Sequence, residues 1–201
     1  PMYGSHPYHH WGVKGTIPLR FETHIALIED IVRGASVAGF NKFILFSAHG
    51  QVSSTIVAVH KLGIEGNFVL SLHWYDFLRD SQDVLEDAMW HADEAETSVG
   101  LYLYPDYVDM SRAEAGSSHG LIDPKWKIAP GMIPKPGQMY HFEGTFALPE
   151  KLEGGNGVVG DPTKATYEKG EIIVNRVVDH VSLLIDEIME QYPVGVRPQT
   201  A

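Results

Sequence analysis

The sequence predicts an α/β fold in which helices cover both faces of a mostly parallel sheet. Between residues 21 and 104, segments with helical spacing of apolar residues alternate with short, continuously apolar segments. Continuously apolar strands are typical of parallel sheets buried on both faces, and the alternation is typical of α/β domains. A chain of 201 residues is long enough for one such core, so we expect a single domain over residues 1–201.

The first part of the chain contains a loop, two helices and one strand. Residues 1–20 are rich in glycine, proline, histidine and aromatic residues, which is typical of an irregular loop. Apolar residues from Phe21 to Ala38 recur at helical spacing ahead of Gly39, which predicts an amphipathic helix with a glycine stop. The segments "KFILFSAHG" and "VSSTIVAVHKLG" then predict a strand followed by a second helix.

The strand and helix pattern occurs once more before the chain becomes irregular. The segment "NFVLSLHWYDF" predicts a buried strand with a polar and aromatic end, and "AETSVGLYLYPD" predicts a helix closed by a proline. Residues 111–168 are rich in glycine and proline and are typical of surface loops that cover a site. From Tyr167 to Tyr192 the apolar spacing predicts a long amphipathic helix that ends before Pro193.

Composition excludes several classes of function. The formal net charge is −11 and there is no basic run, so neither nucleic acid nor an anionic membrane is an expected partner. No apolar run approaches the roughly 20 residues of a membrane-spanning helix. The chain has no cysteine but 11 histidines, which leaves metal binding by imidazole and carboxylate groups open. We expect a cytoplasmic protein.

Polar and aromatic side chains follow both predicted strands. His49 follows the first strand, and Trp74 and Tyr75 follow the second. The carboxyl ends of parallel strands meet at one edge of a sheet, where ligands of α/β proteins bind, so we expect these residues to face one crevice. His49 is a candidate metal ligand there; the alternative is a histidine that only hydrogen-bonds to the loop backbone.

The segment "HADEAETS" has two interpretations. Asp93 followed by Glu96 ahead of an apolar helix matches a capping box, in which the glutamate reaches back to the backbone of the cap. Carboxylates in a first helical turn also interact favourably with the helix dipole. Capping accounts less well for His91 and Glu94, which makes Glu94 the better candidate for a ligand or a catalyst.

Other motifs point to no further chemistry. His9 and His10 lie beside Trp11 in the opening loop, where at most one of two adjacent histidines would face a site. The glycine-rich segments lack the spacing of a dinucleotide or triphosphate loop. No G-x-S-x-G elbow accompanies the serines near His49, so a serine hydrolase is not expected.

Five segments in order resemble the creatininase family of metal-dependent amidohydrolases. They match its Tyr-Gly and Gly-Thr-Ile loop, its strand ending in Asn-Gly-His-Gly-Gly-Asn, its aromatic strand end, its His-Ala-Gly-Glu-x-Glu-Thr-Ser helix start and its Gly-Asp-Pro signature. In this chain they read "YGSHPYHHWGVKGTIPL", "FILFSAHGQVS", "LHWYDF", "HADEAETSVGLYLYPDYVDM" and "GVVGDPTKATYEKGEIIV". The resemblance implies a three-layer α/β/α sandwich that is often assembled as a homo-hexamer.

The resemblance also implies roles for individual residues. His49 and Glu94 would be metal ligands, and Glu96 a second carboxylate at the metal. His91 or Glu94 would transfer the proton to the leaving atom. The substrate pocket would contain His91 together with the residues His10, Trp74 and Tyr75.

The implied activity is hydrolysis by a metal-activated water. The metal would be zinc or manganese, with iron as a further option, and would lower the pKa of the bound water and polarise the substrate carbonyl. The substrate would be a small cyclic amide or a cyclic carbonyl compound. A crevice rich in polar residues favours a hydroxylated ring such as a keto-cyclitol.

Two departures from the family pattern leave a second hypothesis open. Nothing in residues 1–201 matches the Glu-x-His-Gly segment from which the family takes most of its metal ligands, and "SAHGQVS" replaces the usual flanks of the histidine. Zinc usually takes at least three protein ligands, so His49 and Glu94 alone would not suffice. The alternative is a non-catalytic small-molecule-binding or assembly subunit that has lost the metal shell.

Overall fold

A computed structural model describes residues 17–50, 53–81, 83–87, 89–117 and 156–198. The chain divides into two compact units, one of Pro1–Trp74 with Val181–Ala201 and one of Tyr75–His180. Each unit is described by itself. The predicted loop at the start of the chain, including His10, and most of the predicted covering region lie outside the described residues.

The first unit is built on two helices and a parallel pair of strands. Helix α1 spans Phe21–Val37 and helix α2 spans Ser53–Ile64, which confirms the helices predicted from apolar spacing. Strands β1 (Lys42–Ser47) and β2 (Phe68–His73) pair in parallel, with Lys42 opposite Phe68 and Ser47 opposite His73. The α/β class with a parallel sheet is therefore confirmed.

One face of this sheet packs against both helices. Alternate strand residues share a face, and Phe43, Leu45 and Val69 contact the core from the sheet. The helices contribute the buried side chains Ile25, Ile28, Val32, Ala58 and Leu62. The parallel register brings the two strand ends level with each other, with Ser47 opposite His73.

A buried polar pair also joins α1 to α2. His24 is 3% exposed and its Nδ1 lies 2.7 Å from the hydroxyl of the fully buried Ser54. Burial lowers the pKa of His24, because an imidazolium ion loses hydration inside the core. The neutral imidazole is thus the form that this layer accommodates.

The second predicted strand is shorter than expected. Its predicted span reached Phe77, but β2 ends at His73 and a 3-10 helix follows over Trp74–Ser81. The reason is pairing: β1 ends at Ser47, opposite His73, so no strand residue remains to hydrogen-bond the next position of β2. Trp74 and Tyr75 consequently begin the 3-10 helix instead of extending the strand.

The second unit contains helix α3 (Glu94–Leu103) and the first part of helix α4 (Tyr167–Gln191). Both helices confirm the predictions to within one residue at their ends. Short 3-10 helices at Pro105–Tyr107, Met110–Arg112 and Pro162–Lys164 follow α3 in the sequence. In the parts of the chain that the structure describes, no helix is both long and apolar enough to cross a membrane.

Candidate functional site

Asp93 caps the N-terminus of α3 as the sequence predicts. Its Oδ1 accepts hydrogen bonds from the backbone N–H groups of Ala95 at 3.0 Å and Glu96 at 3.1 Å. Its Oδ2 accepts the N–H of Trp90. The side chain is almost fully buried, and burial raises the pKa of Asp93 even though the three N–H groups favour the carboxylate. Asp93 is therefore a structural cap.

Glu96 completes the capping box, but it accepts the N–H of the residue before the cap instead of the predicted N–H of the cap itself. Its Oε2 accepts the N–H of Ala92 at 2.5 Å, where a standard capping box uses the N–H of the cap residue, here Asp93. Ala92 has a φ of +50°, a left-handed conformation that is rare for a residue with a Cβ. That conformation turns the N–H of Ala92 into the position that Glu96 uses.

Glu94 faces a different environment from Glu96. It is 1% exposed, and its Oε2 accepts the backbone N–H groups of Glu86 at 2.9 Å and Asp87 at 3.1 Å. Its Oε1 lies 2.5 Å from the ammonium of Lys169 on α4. Both carboxylate oxygens of Glu94 are therefore occupied by protein donors.

Lys169 is a residue that the sequence analysis missed. Besides Glu94 it donates to Oε1 of Glu86 and to the carbonyl of Lys164, each at 3.0 Å. The hydrogen bond to Glu94 is the main reason that the pKa of Lys169 is raised. A buried carboxylate requires a charged or hydrogen-bonding partner, but the burial of Glu94 is visible only in the structure, so the sequence offered no direct signal for Lys169.

The Gly-Asp-Pro signature brings α4 against α3. Gly160 has a φ of +126°, and a Cβ there would collide with the side chain of Asp93. The N–H of Thr166 donates to the Ser98 hydroxyl at 3.2 Å. A Cβ at Gly170 would collide with the backbone carbonyl of Ser98. The glycines of the signature therefore permit a close approach of two backbones.

A cleft of about 520 Å³ lies beside the first turns of α3. Glu96 and Thr97 line it from the helix, and Tyr107, Asp109 and Arg112 line it from the short 3-10 helices. Among the described residues that line the cleft, Arg112 is the only cation. The cleft therefore offers carboxylate acceptors and one cationic donor to a ligand.

His91 lies close to the carboxylate that lines this cleft. Its Nδ1 is 3.9 Å from Oε2 of Glu96, and its backbone is fixed by two hydrogen bonds with Val159, at 2.9 and 3.3 Å. Burial raises the pKa of Glu96, whereas the Ala92 N–H and His91 oppose that rise. A carboxyl group with a raised pKa takes up a proton more readily than an ordinary carboxylate.

The remaining predicted site residues lie at the ends of the strands. His49 follows β1, and its N–H donates to the Ser47 hydroxyl at 3.3 Å while that hydroxyl donates to the His49 carbonyl at 3.1 Å. Trp74 directly follows His73, the last residue of β2. The predicted common edge of the two strands is thus present, whereas His10 lies outside the described residues.

The described residues do not by themselves complete a metal site. Within residues 17–50, 53–81, 83–87, 89–117 and 156–198, no three His, Cys, Asp or Glu side chains are grouped closely enough to hold a metal ion. The structure brings His91 and Glu96 together, and it directs Glu94 to Lys169. Ligation by His49, Glu94 and Glu96 remains a prediction.

Comparison with protein families gives one match over most of the chain. The sequence model of the creatininase family, described as creatinine amidohydrolase, matches residues 1–185. The chain is 32% identical over 213 aligned residues to 3-dehydro-scyllo-inosose hydrolase of Thermotoga maritima, which covers 98% of this chain and 66% of that protein. It is 26% identical to creatinine amidohydrolase of Pseudomonas putida over 89% of this chain and 66% of the relative.

Solved structures give the same fold. A protein of Bacteroides fragilis described as a creatinine amidohydrolase superimposes with a TM-score of 0.70 at 26% identity, covering 92% of this chain and 68% of that one. A mutant creatininase of Zn–Zn type superimposes with a TM-score of 0.64 at 25% identity, covering 90% and 68%. The chain spans slightly under two thirds of the length of the two hydrolases compared above.

Proposed function

We propose, since this chain belongs to the creatininase family, that it is a metal-dependent hydrolase that opens a small cyclic carbonyl compound. The observation that carries the proposal is the 32% identity to 3-dehydro-scyllo-inosose hydrolase over 98% of the chain. That similarity includes the region of α3 and α4, where the cleft and its carboxylate lie. The 26% identity to creatinine amidohydrolase supports the same reaction type on a cyclic amide.

A hydroxylated cyclic ketone is the proposed substrate class. The cleft beside α3 is lined by Glu96, Asp109 and Glu114, which accept hydrogen bonds, and by Arg112, which donates them. Ring hydroxyl groups both donate and accept, so they fit this mixture. A hydrolysed ring carries a new carboxylate, which Arg112 would bind with a charge-assisted hydrogen bond.

The reaction adds one water across one ring bond. The water oxygen bonds to the carbonyl carbon, and the bond from that carbon to its ring neighbour breaks. The electron pair goes to the neighbour, which is a carbon next to a second carbonyl in a cyclic ketone or a nitrogen in a cyclic amide, and the neighbour takes up a proton. We assign this proton transfer to His91, whose imidazole lies beside Glu96.

A divalent metal, zinc or manganese, is part of the proposal. One creatininase structure is of a Zn–Zn type and another is a manganese form. His49 and Glu96 are the proposed ligands from this chain, and Trp74 and Tyr75 are the proposed substrate contacts. Glu94, the third predicted ligand, is not part of this proposal because protein donors occupy both of its oxygens. We further propose a cytoplasmic homo-oligomer, a hexamer as the family resemblance implies, which light scattering would test.

The test measures turnover and metal content on the same preparation. The protein is incubated with Zn²⁺ or Mn²⁺ and with inososes, their diketone derivatives, or creatinine, and the release of acid from the ketones and of creatine from creatinine is followed. We expect turnover of a hydroxylated cyclic diketone, whose second carbonyl stabilises the electron pair of the broken bond, and loss of turnover on chelation. The matched variants are His91→Ala and His60→Ala, of which the second changes an exposed histidine of α2.

The proposal fails if the purified protein binds no divalent ion and hydrolyses none of these rings. It also fails if His49→Ala and His91→Ala both turn over substrate at the rate of the unmodified protein. A chain that binds the rings without turnover would instead be the non-catalytic binding subunit.

A further inference from the structure

The first turn of α3 presents three carboxylates, and each accepts backbone N–H groups from the segment before the helix. Asp93 accepts the N–H of Trp90, and Glu96 accepts that of Ala92. Glu94 accepts the N–H groups of both Glu86 and Asp87. The segment that leads to His91 is therefore fixed by the helix that follows it.

Glu94 is the one carboxylate of the three with a cationic partner from another helix. The Lys169 ammonium lies 2.5 Å from Glu94 Oε1 and is only 18% exposed, while the Glu94 side chain is 2% exposed. Lys169 also reaches Glu86 and the carbonyl of Lys164. A single ammonium group thus joins α4, α3 and the segment before α3.

The position of Lys169 is itself fixed by a close helix contact. It precedes Gly170, whose Cα lies so close to the carbonyl of Ser98 that a Cβ would collide with it. Ser98 donates to the carbonyl of Glu94 at 2.6 Å. The Lys169 ammonium and the Glu94 carboxylate are therefore brought together by backbone packing, with little freedom to separate.

We infer that Lys169 and Glu94 form a positioning pair that fixes the backbone of Glu86 and Asp87 and so places His91 beside the cleft carboxylate Glu96. Glu94 then acts through the backbone of Glu86 and Asp87 and does not touch the substrate. The inference deepens the proposed function and rests on it for the consequence in turnover. The hydrogen bonds from Glu86 and Asp87 to Glu94 can be tested without any activity.

The experiment compares five variants with the unmodified protein. Lys169→Met and Glu94→Gln each break the pair, and the double variant removes both charges, so that it contains no unpaired buried charge and remains testable if a single variant fails to fold. Lys169→Arg keeps a cation at the position. Arg176→Met is the matched control on the same helix, α4, because it breaks a more exposed ion pair: the side chains of Arg176 and its partner Asp83 are 31% and 64% exposed.

Amide hydrogen exchange at Glu86 and Asp87 is the readout that needs no activity. We expect exchange at these two amides to rise about tenfold or more in Lys169→Met, since they lose a fixed acceptor. Exchange should remain unchanged in Arg176→Met and return towards the original rate in Lys169→Arg. Unchanged exchange in Lys169→Met would overturn the inference whatever the turnover.

Turnover separates a positioning role from a catalytic one. We expect Lys169→Met and Glu94→Gln to lower kcat by a similar factor of about ten or more with KM nearly unchanged, because a displaced His91 slows the chemical step. The double variant should be no slower than either single variant, since both substitutions remove one interaction. Loss of turnover in Glu94→Gln with normal turnover in Lys169→Met would overturn the inference and assign Glu94 to the substrate or a metal.

The two hypotheses fail in different ways. Suppose that the unmodified protein opens no cyclic substrate but amide exchange at Glu86 and Asp87 still rises in Lys169→Met. The proposed function is then refuted, whereas the role of the pair in fixing the backbone stands. If the unmodified protein is active and the two amides do not respond, the proposed function stands and the positioning pair is refuted.

Discussion

Glu94 and Glu96 lie two residues apart in the first turn of one helix, yet their environments are opposite. Successive helical residues are rotated by about 100°, so positions i and i+2 lie on nearly opposite sides of the helix. Glu94 faces α4 and has both oxygens occupied, whereas Glu96 faces a cleft and uses one oxygen on Ala92. Burial and hydrogen-bond partners, more than residue type, therefore distinguish a carboxylate with a structural role from one that can contact a ligand.

Replacing the cleft carboxylate should have the largest effect on activity. Glu96→Gln keeps the shape of the side chain but removes its charge, so we expect kcat to fall by about 10²-fold or more, as for the loss of an acid, base or ligand. Steady-state kinetics would measure it. The matched control is Glu168→Gln in the first turn of α4, an exposed glutamate. Equal kinetics of the two variants would remove Glu96 from the site.

The side of α3 that packs against α4 is tested by adding one methyl group at Gly170. Gly170→Ala places a Cβ against the Ser98 carbonyl, and we expect the free energy of unfolding to fall by about 1–3 kcal/mol, which is usual for overpacking. In Gly34→Ala the new Cβ meets nothing within 4 Å, so alanine should stabilise α1 by about 0.5–1 kcal/mol. Urea denaturation would compare them. If Gly170→Ala leaves the free energy of unfolding unchanged or raises it, as Gly34→Ala should, then α4 can move away from α3 to accommodate the new Cβ.

The side of α3 that faces the cleft is tested at Arg112. Arg112→Ala removes the only cation among the described residues lining the cleft, and we expect KM to rise about tenfold with kcat little changed, as for a uniform binding interaction. The rise should be larger for the inhibition constant of the open-chain acid than for the neutral ring. An unchanged affinity for both molecules would place the ligand elsewhere.

Two histidines show the same contrast between a buried and a cleft-side position. The buried one predicts a pH dependence of stability, which is the smallest of the expected effects. His24 is buried on Ser54, whereas His91 lies near the cleft. The pKa of His24 is lowered in the folded protein, so the unfolded chain binds a proton that the folded one does not. Its contribution to stability is therefore complete above the ordinary histidine pKa of about 6.5 and decreases as the pH falls below it.

The measurement is the slope of unfolding free energy against pH between 7 and 5. His24 should add a slope of at most about 1.4 kcal/mol per pH unit, the limit for one proton. We expect His24→Gln to remove that part of the slope, and His60→Gln, at an exposed position of α2, to retain it. An unchanged slope in His24→Gln would show that the buried imidazole accepts its proton without cost.

Local patterns in the sequence were sufficient for the helices and for the cap. Apolar spacing predicts α1, α2 and α4 nearly to the residue, and the Asp93 and Glu96 pair predicts the start of α3. These features depend on neighbours within a turn or two of the chain. The length of β2 was overestimated because it depends on where its partner strand ends.

The candidate site was only partly predictable. His91 and Glu96 come together as neighbours across one turn, but the pairing of Glu94 with Lys169 joins positions 75 residues apart. The rotation of a helix decides which carboxylate is buried, and that rotation is set by packing against α4. Arg112 has no sequence signal, since a single arginine after a loop is ordinary at a surface.

The three carboxylates at the start of α3 hold the preceding segment through its main chain, while the side chains of Glu86 and Asp87 pair with Lys169 and Lys164. The groups that bind Asp93, Glu94 and Glu96 from this side are N–H groups of positions 86, 87, 90 and 92, which every residue except proline possesses. Replacing a side chain at these positions leaves its main-chain hydrogen bond in place. The same helix start can therefore serve relatives that act on different rings, with proline as the one replacement that each of these four positions excludes.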